Sequence, residues 1–234
     1  LPAEYAGGFL LLAGGYLLVA LLLSFLRDIQ PAGTEISADG RPLRLVARQP
    51  AYLIALLGGV VAYGVMSFIM TATPISMHVI DQHDLASTSF VVQSHVIAMY
   101  LPSLFSGLIV AKLGPTKVMA GGALAMAGCI GLTQAGHSVP LYWGALVLLG
   151  IGWNFLFVGA TVLLTRSYLP AERFKAQAAN DFAIFGVQAF TSLSAGSVVY
   201  LAGWEMLTLL NLPLLLLAFV AIMALDRRLA RAAA

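Results

Sequence analysis

The sequence predicts an all-α integral membrane protein with seven transmembrane helices, and three observations carry that prediction. Of the 234 residues 60% are apolar and only 9% are charged, whereas a soluble domain holds about 25% Asp, Glu, Lys and Arg. Seven stretches, 5–26, 52–73, 88–111, 118–135, 141–165, 178–200 and 204–225, are apolar nearly all round and close to the roughly 20 residues that a spanning helix needs. All 12 Lys and Arg fall in segments 27–51, 112–117, 166–177 and 226–234, and none in the alternate segments 1–4, 74–87, 136–140 and 201–203. A water-soluble globule of this size could not cover so much apolar surface. The solvent for most of the chain is lipid, which excludes a soluble enzyme, a nucleic-acid binder and a disordered protein.

The elements follow in order. The first stretch opens almost at Leu1, with no basic region before it and no cleavage signal after it. It therefore reads as a span of a longer protein and not as a signal peptide. Segment 27–51, with Pro31, Gly33, Asp39, Gly40 and Pro42 among mixed charges, reads as a flexible linker between the first helix and the next six. Because basic loops stay in the cytoplasm, the chain starts outside and ends inside, with Arg227, Arg228 and Arg231 as a cytoplasmic tail. Tyr5, Tyr142, Trp143, Tyr200 and Trp204 at outer ends, and Tyr52 and Tyr168 at inner ends, fit the aromatic belts of the headgroup layer. Pro74 ends or kinks the second span and Pro102 bends the third. Cys129 is the single cysteine, so neither an internal disulfide nor a cysteine metal site is expected.

The six helices after the linker divide as three plus three. Ser106-Gly107, six residues and Gly114 precede a helix in the first trio; Ala195-Gly196, six residues and Gly203 do so in the second. The first pattern ends inside and the second outside, as in inverted-topology repeats.

A basic linker followed by two such trios resembles the C-terminal half of a major facilitator superfamily transporter. The turn Gly107-Leu-Ile-Val-Ala-Lys112-Leu-Gly114-Pro-Thr-Lys117 resembles the superfamily's motif between its second and third helices, without the usual Asp-Arg pair. Met70-Thr-Ala-Thr-Pro-Ile-Ser-Met77, Gln93-Ser-His95-Val-Ile-Ala-Met99-Tyr-Leu-Pro102, Leu149-Gly-Ile-Gly-Trp153-Asn154-Phe-Leu-Phe157 and Asn180-Asp181-Phe182 resemble a bacterial subgroup that includes riboflavin transporters. The resemblance implies a division into 1–26 as the last helix of the N-terminal half, 27–51 as cytoplasmic linker, and 52–234 as a C-terminal bundle of two inverted three-helix repeats. It also implies that helices 52–77 and 141–165 line a central cavity, that 88–111 and 178–200 meet the other half, and that the third helices face lipid. The implied activity is secondary transport of a small, flavin-like organic solute by alternating access in the bacterial inner membrane, with no resident cofactor. Its partners would be the bilayer, the solute and the missing N-terminal half.

Polar groups inside a membrane are costly and so mark candidate sites. Trp153 and Asn154, with Phe157 one turn on, would suit a flat heterocycle with polar edges; helix packing through Gly150 and Gly152 is the other reading of the same residues. Tyr63, Ser67, Met70 and Thr71 form a stripe at helical spacing, and Gln188 lies deep in the sixth span. His95, with Gln93 nearby, could couple a proton or simply bond another helix. Asn180 and Asp181 open the sixth span as cap and first-turn carboxylate, or as a gate contact to the other half. His78, Asp81, His83 and Asp84 match no metal-ligand spacing and read as a solvated outer loop. No H-E-x-x-H, G-x-S-x-G, Walker or G-x-G-x-x-G motif is present, so no enzyme is expected and transport would run on a gradient. A seven-helix receptor shares this topology and is the alternative. A retinal protein does not fit, because Lys112, Lys117 and Lys175 all lie in cytoplasmic loops.

Overall fold

A computed structural model describes residues 6–25 and 40–233, and every regular element among them is helical. Tyr5 and the linker stretch 26–39 lie outside the described residues. The chain divides into two units, Leu1–Ser37 and Ala38–Ala234. The first holds α1, Ala6–Ser24, which carries no charged residue.

The second unit begins with the four-residue α2, Leu43–Val46, and α3, Pro50–Pro74. Pro50 opens α3, where a missing N–H costs nothing. Beyond Pro74 the chain continues as a π-helical turn, Ile75–Ile80. Next come α4, Leu85–Tyr100, and α5, Ser103–Leu113. Asp84 caps α4 by accepting from the Ser87 amide at 2.8 Å and the Ser87 hydroxyl at 2.6 Å. Those two bonds, the hydroxyl's foremost, hold the Asp84 carboxyl below the ordinary carboxylate range. The remaining helices are α6, Pro115–Thr133; α7, Val139–Thr165; α8, Arg173–Ala202; α9, Trp204–Leu209; and α10, Leu212–Ala233. A 3-10 turn, Pro170–Glu172, precedes α8. Among the described residues six helical segments are long and apolar enough to cross a membrane, or seven when α4 and α5 count as one span bent by 43°.

The stretch 88–111 is bent at Leu101 and Pro102, as expected, because Pro102 has no N–H to continue the helical ladder. The structure departs from the sequence-based expectations in several other places. The last stretch is broken at Leu210 and Asn211; the Asn211 side-chain amide turns back to the Leu207 carbonyl at 2.9 Å. α8 starts at Arg173, so Asn180 and Asp181 lie two turns inside it and the cap reading falls. The end of the linker is docked and not free. Glu172, whose side chain is fully buried, accepts from the Arg41 amide at 2.9 Å, Nε at 2.7 Å and Nη2 at 2.8 Å, and from the Leu169 amide at 2.9 Å. Gln49 adds a bond to the Ser167 carbonyl at 2.8 Å. Tyr52, Tyr142 and Trp204 are buried inside the protein, whereas Trp143 and Tyr200 are exposed as a headgroup belt would have them.

α7 is the central element and packs on α3, α4 and α6. Small residues let these backbones meet, as lipid-embedded helices require. A methyl carbon built on Gly122 would lie 2.5 Å from the Leu156 amide nitrogen and 2.7 Å from the Gly152 carbonyl oxygen. The helical hairpins turn on glycine as well. Gly114 has φ +84 and ψ 156 and Gly203 has φ +84 and ψ 169, and each ends one helix and starts the next. That left-handed φ is open to glycine and strained for other residues. The two glycines of the sequence pattern thus share one backbone conformation.

Gly152→Val is expected to force α6 and α7 apart and destabilise the bundle by about 1–3 kcal/mol. A fall in the unfolding midpoint of the intact protein in detergent checks this, and Gly121→Val, at an open position, is the control.

Candidate functional site

The middle of α7 meets α3, α4 and α8 through a cluster of rings. Trp153 is stacked on Phe157, with centroids 5.4 Å apart and planes at 18°. Tyr63 of α3 stands edge-on to Trp153 at 5.3 Å, to Phe157 at 5.0 Å and to Phe185 of α8 at 5.6 Å. Tyr100 of α4 closes on Trp153 at 6.1 Å. Edge-to-face pairs of this kind are favoured by the ring quadrupole. Trp153 is buried, Tyr63 and Phe157 are half-buried, and Phe185 and Tyr100 are exposed at the margin. Below Phe157 a crevice is lined by Ala55, Gly59, Thr161, Asn180 and Ile184. The cluster joins three residues expected from the sequence, Tyr63, Trp153 and Phe157, with two that it did not single out, Tyr100 and Phe185. The signal for Phe185 was its place one turn after Asp181, inside the expected span 178–200.

Asn154 has a different set of partners from its neighbour. Its side-chain N–H groups donate to the Met99 carbonyl at 2.8 Å and to the Ser103 hydroxyl at 2.6 Å. It therefore braces the break between α4 and α5 from α7. Its Oδ1 and the Trp153 Nε1 are buried without a hydrogen-bond partner among the described residues.

His95 is fully buried where α4 crosses α7. Its Nδ1–H donates to the Leu146 carbonyl at 2.8 Å, and Nε2 has no partner among the described residues. Backbones touch here too, since a methyl carbon on Gly150 would lie 2.8 Å from the His95 carbonyl oxygen. Gln93 is exposed on another face of α4. On α3, Ser67 is buried, Met70 is half-buried and Thr71 is exposed, so the stripe does not present one common surface. Gln188 is half-buried on α8. Asn180 is buried and donates to Asp181 Oδ1 at 3.1 Å, which leaves Asp181 exposed.

At the tight turn, Lys112 lies in the last turn of α5, Gly107 is one turn earlier, and Lys117 is exposed on α6. The acid that the turn lacks in sequence arrives from elsewhere. Thr116 donates to Asp226 Oδ1 of α10 at 2.5 Å. The loop expected to be solvated, 74–87, is likewise not simply so. Asp81 accepts from His137 and Tyr142, and the His83 Nε2–H donates to the His137 carbonyl at 2.7 Å. Among the described residues no His, Cys, Asp and Glu group has a metal-holding arrangement.

Comparison with known proteins adds a family. The model of the Major Facilitator Superfamily matches residues 55–233. The chain is 40% identical over 220 residues to the riboflavin transporter RfnT of Brucella anthropi, covering 93% of this chain and 55% of that protein. It is 33% identical over 230 residues to YdeG of Bacillus subtilis, an uncharacterized MFS-type transporter, covering 92% and 53%. A second uncharacterized MFS-type transporter of that bacterium, YddS, is 35% identical over 161 residues, covering 68% and 36%. The chain spans about half the length of the first two of these relatives.

Asn154→Leu is expected to strand the Met99 carbonyl and cost about 1–3 kcal/mol. A lower unfolding midpoint, together with faster amide exchange at the α4–α5 break than elsewhere in α4, checks this.

Proposed function

The chain belongs to the major facilitator superfamily, and from that premise we propose that it forms the C-terminal half of a secondary transporter, preceded by the last helix of the N-terminal half and the linker. The match over 55–233 supports this division, as does a length about half that of its relatives. In this reading the two halves rock about a site near the midplane. The linker side is cytoplasmic, the membrane is the bacterial inner membrane, and two inverted trios build the bundle. The shared conformation of Gly114 and Gly203 supports the repeat. The N-terminal half covers α4–α5 and α8. Their exposed rings and aliphatics support that placement, Phe90, Leu104 and Phe105 on one side and Phe182, Phe190 and Leu193 on the other.

The observation that carries the substrate reading is the ring cluster of Tyr63, Tyr100, Trp153, Phe157 and Phe185 on four helices. Such a surface binds a planar conjugated solute by stacking. The unpartnered Trp153 Nε1 and Asn154 Oδ1 supply a donor and an acceptor for its polar edge once α7 is displaced. The name of one relative, riboflavin transporter, makes a flavin the first candidate. Charge narrows the choice further. α3 and α7 carry no charged side chain, and Asp181 is the one formal charge on α8 between 176 and 202. These walls favour a neutral or cationic solute over an anionic one. His95, buried with a free Nε2, is the candidate for proton coupling.

Uptake of riboflavin by the intact protein, expressed in cells that cannot make it, tests the function. Trp153→Ala is expected to lower uptake at least about tenfold, the equivalent of ~1.4 kcal/mol of stacking, at normal membrane abundance; retained uptake rejects the site. Phosphorylated riboflavin is expected to compete poorly. His95→Gln is expected to flatten the pH dependence of uptake, and an unchanged profile excludes coupling through this residue.

A further inference from the structure

The outer ends of α3, α6, α7 and α9 converge on one histidine. His137 lies in the turn between α6 and α7, with Nδ1 2.7 Å from Asp81 Oδ2 and Nε2 2.5 Å from Glu205 Oε1. Asp81 ends the π-helical turn after α3, and Glu205 lies in the first turn of α9. From α7 the Tyr142 hydroxyl donates to the same Asp81 oxygen at 2.8 Å while accepting from Ser76 at 2.6 Å. Within the loop, His83 donates to the His137 carbonyl at 2.7 Å, and His78 to the His83 carbonyl at 2.8 Å. From α6, only uncharged groups reach the cluster: Gln134 donates to the Glu205 carbonyl at 3.2 Å. No Lys or Arg lies in these outer segments.

The proton count follows from the geometry. An ionised carboxylate only accepts hydrogen bonds, and a neutral imidazole has one N–H. With both ring nitrogens against carboxylate oxygens, one contact would set lone pair against lone pair. The arrangement closes only when it holds one more proton than a neutral imidazole between two carboxylates. We propose that this cluster is a proton-binding latch on the outer surface, in which the extra proton lets His137 tie Asp81 to Glu205 and so binds the end of α3 to α9. The His137 ring is 37% exposed, so the outer medium can load and unload it. Both carboxylates pull its titration above the ordinary histidine range, the hydrogen bond to Glu205 most of all. The latch is therefore fully closed below about pH 6.5, the unfolded value, and opens as pH rises through the higher folded value. It is separate from His95 and does not depend on which solute is carried.

The test uses the intact protein in nanodiscs. Its unfolding midpoint is expected to fall by about 2–4 °C as pH rises from 6 to 9, a fall that His137→Gln and Glu205→Gln both abolish. Histidine-labelled protein is read by NMR in parallel. The ring signal missing from His137→Gln is expected to titrate above 6.5 in the wild type and to shift down in Glu205→Gln. A His137 ring that titrates below 6.5 overturns the latch. So does a fall in midpoint that survives in Glu205→Gln, the half-exposed partner whose replacement leaves the core untouched.

Discussion

Hydrocarbon offers no hydrogen-bond partners, and that constraint governs this protein. Backbone groups inside a bilayer must bond within their own helix or to another part of the protein. Two interruptions among the described helices are met by a side chain. Where Pro102 breaks the third span, Asn154 reaches across from α7 to Met99 and Ser103. Where the last span breaks, Asn211 turns back on its own helix. The buried His95 spends Nδ1 on the backbone of α7. Packing obeys the same rule, because attraction between helices in lipid depends on close contact, and Gly122, Gly150 and Gly152 bring backbones together where they cross.

The two ends of the bundle are built from different chemistry. On the basic side a single buried carboxylate, Glu172, gathers Arg41 and Leu169 and fastens the last residues before α3 to the start of α8. On the other side one imidazole sits between two carboxylates. The first fastening uses a guanidinium, which keeps its charge at any biological pH. The second uses the side chain whose charge changes near neutrality. One end is thus fixed and the other responds to the medium.

Much of the fold was legible because its causes are one-dimensional. Apolar length identifies a candidate span, and six of the described helical segments, or seven with the bent pair, meet that criterion. Glycine at 114 and 203 is legible for the same local reason, a backbone angle that only glycine takes at little cost. Helix boundaries were less so: α8 starts at Arg173, before the apolar stretch 178–200, where the mixed run Arg173–Asn180 gives hydropathy no signal. The site was half legible. Trp153 stood out as an indole deep in an apolar stretch with Phe157 one turn on, and Tyr63, read from the sequence only as part of a stripe on α3, meets both. Tyr100 and Phe185 were not visible, since ring contacts between helices depend on how those helices are rotated. His137 and Glu205 are 68 residues apart in the chain, and no spacing rule brings them together.

Trp153 and Asn154 are consecutive, so the ring cluster and the brace on α4–α5 share one segment of backbone. Any turn of α7 about its axis that swings the indole also drags the amide anchored at Met99 and Ser103. Ser103 opens α5, so a displacement of that amide would be felt at the start of α5 as well as at the end of α4.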